Sequence, residues 1–346
     1  MKTAYIYPTN NSSNKYSALQ EEAVKRAGFA LSDSFKDFFK TDVYILNWFE
    51  ALGRKHRSEF IKKMVKLFMF VLFKKRVFFV LHNRLPLHVK SKSDSIYRSS
   101  MFLMKLLIKI SEKIIILCDD SFEVLKQIDP SFDSYKSKII KIPHPNYIDV
   151  YGEPKTVMVR KKKNVNFLFV GAIKPYKNID LLINAFNSLR EQNVELTICG
   201  KVYDSDYEKH LLQTVNNPNI HCDFRFIPDE ELVRLICQSD ILILPYSLAS
   251  SLNSGTIILT FSCKKTVLAP MIGTLKEYDD SSFFYSYTYD SEQDHADALM
   301  RQIMTVVGDV KNNPNVLEQK GLKAFSLVKE ENSLDLVSKL YKQILL

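Results

Sequence analysis

The sequence predicts an α/β fold made of two Rossmann-like, doubly wound domains facing each other across a cleft, and three observations predict it. Short apolar runs alternate with helical patterns from end to end, as parallel sheets with covering helices require. The pattern restarts after residue 150, and 346 residues leave room for two such domains. Charge divides at the same place: residues 1–150 hold 26 Lys and Arg against 15 Asp and Glu, whereas residues 151–346 hold 22 against 24.

In the first half, strands are expected at Thr3–Tyr7, Val43–Leu46, Val77–Leu81, Ile114–Cys118 and Ile139–Ile142. Tyr151-Gly152-Glu153-Pro154 and the basic run from Arg160 to Asn164 mark a boundary near 150–164. A second series follows at Phe167–Val170, Leu196–Cys199, His221–Phe226, Ile241–Leu244 and Thr266–Ala269. The domains are therefore read as 1–155 and 156–330. A C-terminal helix at 331–346, with Leu334, Leu336, Val337, Leu340 and Tyr341 at helical spacing, is expected to cross back to the first. Asn178 is expected to cap a helix whose Leu181, Leu182, Ala185, Phe186 and Leu189 share a face, and Asp229 to cap another with Glu230 and Glu231 in its first turn.

Composition narrows the class. Nine glycines, about 2.6% of the chain, leave few positions where backbone can approach a ligand closely. Five cysteines, odd in number and without a C-x-x-C pair, speak against a disulfide framework or a structural zinc site, and no metal is expected. Met1-Lys2-Thr3 runs at once into an apolar strand without a secretory core, so a cytoplasmic chain is expected. The longest uncharged stretch, Ile241 to Cys263, carries Pro245, Asn253 and Gly255, and reads as strand, polar turn and helix rather than a membrane span.

The basic charge of the first half concentrates in residues 54–76, where Arg54, Lys55, Arg57, Lys62, Lys63, Lys66, Lys74, Lys75 and Arg76 face the single acid Glu59. The same stretch contains Leu67 to Phe73, too short to span a bilayer but suited to lie in its surface with lysines toward the headgroups. Lys62, Lys63, Lys66, Lys74, Lys75 and Arg76 are thus expected to face an anionic membrane. Met101 to Ile110, with Lys105 and Lys109, repeats the pattern, with a core helix bearing a solvated lysine face as the alternative. Nucleic acid is disfavoured as a partner, because bulky aliphatic residues interleave the bases and no binding motif accompanies them.

Doubly wound sheets bind ligands at the carboxyl ends of their strands. After Phe167–Val170 come Gly171 and Ala172 to Asn178, where Lys174 and Lys177 at a helix entry suit a diphosphate. After Ile241–Leu244 come Tyr246, Asn253, Ser254, Gly255 and Thr256, hydroxyls and a glycine at a helix start. After Val77–Leu81 stand His82, Asn83, Arg84 and His88, where His82 could bind a sugar hydroxyl or move a proton at neutral pH. His144, between two prolines, reads as part of a rigid turn. Glu50, Asp119 and Asp120 are the carboxylates that follow strands in the first domain, and the two aspartates could equally cap the next helix.

Taken together, F-V-G-A-I-K-P-Y-K-N, L-T-I-C-G, the strand ending L-P-Y, S-G before a helix, K-T-V-L-A-P and G-T-L-K-E-Y resemble the GT-B glycosyltransferases, most closely glycosyltransferase family 4, over residues 164–280. The resemblance implies transfer of a hexose from a UDP- or GDP-linked sugar, held by the second domain, to a lipid-linked or glycan acceptor on the first. Together with the basic, apolar stretch at 54–76, a peripheral place on the inner membrane face is expected. The resemblance puts Lys177 on the donor diphosphate, His82 near the donor sugar, and Ser254, Gly255 and Thr256 on phosphate and sugar. Gly200, Lys201, Arg225 and Ile227 would border ribose and base. The sequence departs from the family at Ala172, where an arginine is usual, at Ser251 and Leu259, where two glutamates are usual, and at Thr9 to Asn14, where a glycine-rich loop is usual. An inverting branch, a different donor and an inactive descendant all accommodate those changes. A nucleotide-sugar epimerase of the same fold and a non-catalytic sugar-nucleotide-binding scaffold are the alternatives.

Overall fold

The structure, a computed structural model, describes residues 2–9, 14–53, 56–84, 95–154, 164–191 and 193–345. The basic run at 160–163, the loop residues 10–13, Arg54, Lys55 and the stretch from Leu85 to His88 lie outside them. The chain divides into two compact units, residues 1–145 with 249–253 and 331–346, and residues 146–248 with 254–330. The division at Pro145 precedes the boundary read from composition. Nothing in the sequence pattern singled out 249–253 as a separate return to the first unit.

The first unit is built on a parallel six-stranded sheet in the order β2-β1-β3-β4-β5-β6. Its elements are β1 (Thr3–Tyr7), α1 (Lys15–Arg26), β2 (Ala30–Ser32), β3 (Val43–Asn47), α2 (His56–Leu72), β4 (Arg76–Leu81), α3 (Ser95–Ile110), β5 (Lys113–Ile116), α4 (Asp120–Ile128) and β6 (Ile139–Lys141). Every residue of β3 is buried, as a central parallel strand covered on both faces requires. Tyr44, Leu46, Phe79, Leu81, Ile114 and Ile116 pack with Leu67 and Phe70 of α2, Leu103 and Leu107 of α3, and Val124 and Leu125 of α4. Right-handed crossovers place α2, α3 and α4 together on that face and send α1 to the other. There α1 meets the last helix, α13 (Leu334–Leu345 of the chain). Gln20 donates to the Tyr341 hydroxyl at 2.6 Å, and Arg76 donates to the Leu345 carbonyl at 2.8 Å.

The second unit holds a parallel sheet in the order β12-β11-β10-β7-β8-β9. After α5 (Ile148–Tyr151), its elements are β7 (Val165–Val170), α6 (Ile179–Ser188), β8 (Val194–Cys199), α7 (Ser205–Thr214), β9 (Ile220–Asp223), α8 (Asp229–Gln238), β10 (Ile241–Ile243), α9 (Gly255–Ser262), β11 (Thr266–Pro270), α10 (Gly273–Lys276), β12 (Tyr285–Tyr287), α11 (Glu292–Asn312) and α12 (Val316–Glu331). The expected α/β class and its two doubly wound sheets are present. Two three-residue edge strands, β2 and β12, escaped the sequence reading because each is too short to show alternation.

Two expected caps are corrected. Asn178 stands at the N-cap of α6, but in the left-handed conformation and without a side-chain cap; its amide instead donates to the Pro245 carbonyl at 3.0 Å. Asp229 is the first residue of α8, and Pro228 holds the cap position.

The exit from α9 is packed backbone to backbone. Gly321 in α12 lies so close to the loop after α9 that a Cβ would stand 2.2 Å from the Lys264 carbonyl oxygen. Alanine ordinarily stabilises a helix interior by about 1 kcal/mol over glycine. Gly321→Ala should nonetheless lower stability, by about 1–3 kcal/mol of overpacking, as read by denaturant unfolding; an increase would mean that α12 shifts freely.

Candidate functional site

In the second sheet, β7 connects onward to β8 on one side while β10, its neighbour, connects to β11 on the other. Loops leaving such a pair diverge and open a crevice at the carboxyl ends of the strands. Within this unit the two loops are Gly171–Asn178 and Pro245–Leu248.

The loop after β7 is held against the loop after β8. Gly171 donates to the Cys199 carbonyl at 3.1 Å and Ile173 donates to the Lys201 carbonyl at 3.0 Å. Gly171 and Gly200 have φ of 137° and 143°, a region that favours glycine, and a Cβ at Gly200 would lie 1.9 Å from the Gly171 oxygen. These two glycines permit the close approach, and the turn Pro175–Lys177 then carries Lys177 back over the strand end.

The Lys177 ammonium lies 5.7 Å from the centre of the Phe169 ring and 5.8 Å from that of Tyr246. Burial lowers its pKa from 10.5 to about 8, and no carboxylate among the described residues pairs with it. Lys174 is also pushed down, by burial and then by the nearby Lys177 charge. Two cations thus share a partly desolvated place at a helix entry, an arrangement that favours an anion.

From the β10 side, Tyr246 is buried and Ser254 caps α9, its hydroxyl accepting from the Ile257 N–H at 3.3 Å and donating to the Tyr246 hydroxyl at 3.3 Å. The Ser254 N–H is taken by the Thr274 hydroxyl at 2.9 Å. The helix-start groups of Gly255 and Thr256 are those with no intrahelical acceptor. Asn253 belongs to the first unit, where its amide donates to the His82 carbonyl at 3.0 Å, which corrects its grouping with Ser254. Arg225 is exposed and paired with Asp223 at 3.0 Å and Glu231 at 2.6 Å; Ile227 follows in the same loop, and Lys201 is exposed beside the Tyr203 ring. The sequence reading missed Asn178 as a strap to Pro245 and Thr274 as the partner of Ser254. The hydroxyl in G-T-L-K was visible, but not its direction.

The first sheet reverses between β1 and β3, and the chain leaves β3 through Trp48, whose φ of 48° is unusual for a bulky residue. His82 stacks on the Trp48 ring at 4.0 Å and donates from Nε2 to the Asn47 Oδ1 at 2.9 Å in the tautomer this pairing selects. Burial, and then the neighbouring His144, lower its pKa to about 3. The expected proton transfer by His82 at neutral pH is therefore corrected: the ring is held neutral. His144 is likewise held neutral by burial, its Nδ1 against the Pro145 carbonyl at 2.8 Å.

Asp119 pairs with Lys141 at 2.9 Å and Asp120 with Arg84 at 2.7 Å. Glu50 differs. It is 2% exposed, its Oε2 has no hydrogen-bond partner, and burial raises its pKa to about 7 against the weaker pull of Lys63.

The six bases expected to face a membrane do not act as a set. Lys63 is buried and donates to the Ala51 carbonyl at 2.5 Å; Lys66 lies over the Phe35 ring at 4.6 Å. Lys75 donates to the Phe39 and Thr41 carbonyls, and Arg76 pairs with Glu112 at 2.9 Å. Lys62 and Lys74 are exposed.

Two substitutions read these charges. A lysine whose folded pKa lies below its ordinary one destabilises the fold while charged; that cost is full below about pH 8 and disappears toward 10.5. Lys177→Met should therefore raise stability at pH 7, by about 1–3 kcal/mol, while weakening nucleoside diphosphate binding at least about tenfold in calorimetry. Equal affinity would remove Lys177 from the site. The Glu50 carboxyl, raised from 4.5 to about 7, costs nothing below 4.5 and most above 7. Thermal melts of Glu50→Gln should show a gain of a few degrees at pH 8 that shrinks at pH 5; a loss at pH 8 would mean that Lys63 stabilises the carboxylate.

Residues 155–260 match the family described as glycosyl transferases group 1. A GDP-mannose:glycolipid 4-beta-D-mannosyltransferase of Xanthomonas campestris pv. campestris is 27% identical over 105 residues, 30% of this chain and 29% of that protein. The match thus spans under a third of the curated relative. Among solved structures, HepE of Anabaena, in complex with UDP and glucose, superposes with a TM-score of 0.71 at 12% identity, over 100% of this chain and 99% of that one. Sucrose-phosphate synthase of Thermosynechococcus elongatus gives 0.73 at 12% identity over the same shares. WaaG, a glycosyltransferase involved in lipopolysaccharide biosynthesis, gives 0.66 at 14% over 99% of both chains. The chain thus carries a match to that family over residues 155–260 of its second unit, and it shares its fold from end to end with these GT-B glycosyltransferases.

Proposed function

We propose that the protein transfers a hexose from a UDP- or GDP-linked sugar to a lipid-linked or polysaccharide acceptor at the inner face of a membrane. The observation that carries this reading is the Lys177 ammonium, partly desolvated between two rings and without a carboxylate among the described residues. A diphosphate supplies what that cation lacks. Lys174 and the N–H groups of Gly255 and Thr256 would share the charge that grows on the departing nucleoside diphosphate, which is the electrostatic help such a displacement needs. The Xanthomonas relative is named for a GDP-mannose donor and a glycolipid acceptor, and HepE was solved with UDP and glucose; both lend support to a nucleotide-sugar donor.

The test is mass spectrometry of products after incubating the protein with UDP- and GDP-hexoses and a membrane lipid extract. The reading expects a hexose-sized mass increase on a lipid or glycan and release of nucleoside diphosphate. Donor epimerised without acceptor would instead establish an epimerase, and donor bound without any turnover would establish a scaffold.

A further inference from the structure

Helix α2 turns two of its lysines inward and a stripe of its hydrocarbons outward. Lys63 and Lys66 point toward Ala51, Tyr7 and Phe35, on the side that also buries Leu67 and Phe70. On the opposite side, Ile61, Val65, Phe68 and Leu72, spaced four, three and four apart, form one stripe, each between 53% and 65% exposed. Val71 and Phe73 widen it, and Phe39, 70% exposed, meets the Phe73 ring edge-on at 5.1 Å. Single exposed hydrophobic residues are ordinary, but a continuous patch of this kind on one helix marks an interaction surface.

The rim of the patch is basic. Lys36 and Lys40 flank Phe39, Lys62 lies on α2 and Lys74 follows its end, all exposed. The adjoining helix α3 contacts α2 through Phe60 and Phe102, ring centres 6.1 Å apart, and presents Arg98, Phe102, Lys105 and Lys109 along one exposed stripe. An apolar stripe bordered by cations complements a layer with anionic headgroups above acyl chains. Among the described residues no helix is long and apolar enough to cross a membrane.

We propose that this face of the first unit docks in the interfacial zone of an anionic bilayer, with Ile61, Val65, Phe68 and Leu72 entering among the acyl chains and Lys105 and Lys109 on lipid phosphates. The inference deepens the membrane part of the function proposed above and rests on that reading. It keeps the membrane face expected over residues 54–76 but centres it on the Ile61–Leu72 stripe, with exposed lysines at the border in place of Lys63 and Lys66.

The test is co-sedimentation of the full chain with vesicles of phosphatidylcholine alone or mixed equally with phosphatidylglycerol. Wild-type protein should bind the mixed vesicles. Ile61→Asp with Phe68→Asp should lower the bound partition about tenfold or more on mixed vesicles, and Lys105→Glu with Lys109→Glu should abolish the preference for phosphatidylglycerol. Phe68→Ser alone gives the same readout should the double aspartate variant fail to fold. Wild-type protein that stays in the supernatant, or an Ile61/Phe68 variant that sediments like wild type, overturns the proposal. So does a dimer, measured by light scattering, that these same substitutions dissociate, since the face would then join two copies. Nucleoside diphosphate affinity, measured on the same samples, keeps the two readings apart. Wild-type protein that binds nucleoside diphosphate but not vesicles overturns the docking alone, and wild-type protein that binds vesicles but not nucleoside diphosphate overturns the transferase alone.

Discussion

The ammonium of Lys177 is the group on which the organisation of the second unit converges. Folding places it beside the rings of Phe169 and Tyr246, where burial makes its charge unfavourable, and supplies no carboxylate among the described residues. A buried charge without a partner costs stability. The parallel sheet sets β7 next to β10, the amide of Asn178 straps one strand-end loop to the other, and Ser254 with Thr274 holds the start of α9. Each of these fixes the surroundings of one cation, and the cost is understandable if a negative ligand completes the site.

The close approach of two loops makes that placement possible. Where the oxygen of Gly171 stands, no side chain at position 200 could fit. A chain with nine glycines thus uses two of them back to back at the ends of neighbouring strands. The first unit has no comparable pair among its described glycines, Gly28 and Gly53. It resolves its own strand ends differently, with neutral rings of His82 and Trp48 stacked together and the carboxyl of Glu50 buried nearby on the chain. The two units share a topology and differ in the chemistry at the carboxyl ends of their sheets.

Much of this was legible in the sequence because it rests on local pattern. Uninterrupted apolar runs such as Tyr44-Ile45-Leu46 and Phe167-Leu168-Phe169 can only be central strands, and glycine and lysine directly after a strand point to a helix-entry anion site. What the sequence did not disclose depends on side-chain direction. Lys63 and Lys66 read as facing anionic headgroups because they stand in a basic run, yet they lie over the rings of Tyr7 and Phe35, and Ile61, Val65, Phe68 and Leu72 face out. His82 read as a proton carrier because histidine titrates near neutrality; burial, and then the neighbouring His144, remove that property, while Asn47 accepts from its Nε2. Asn253 and Ser254 are neighbours in sequence and belong to different units, which no periodicity could show.

A Lys177 ammonium whose charge is costly until an anion arrives has a direct thermodynamic signature. Calorimetry of UDP or GDP binding near pH 8, in two buffers of different ionisation enthalpy, measures protons exchanged on binding. Lys177, its pKa lowered to about 8, is about half protonated there, and a diphosphate beside it would raise that pKa, so each nucleotide should bring uptake of about half a proton, absent when residue 177 cannot titrate. Tight binding with no proton uptake would contradict an anion site at Lys177.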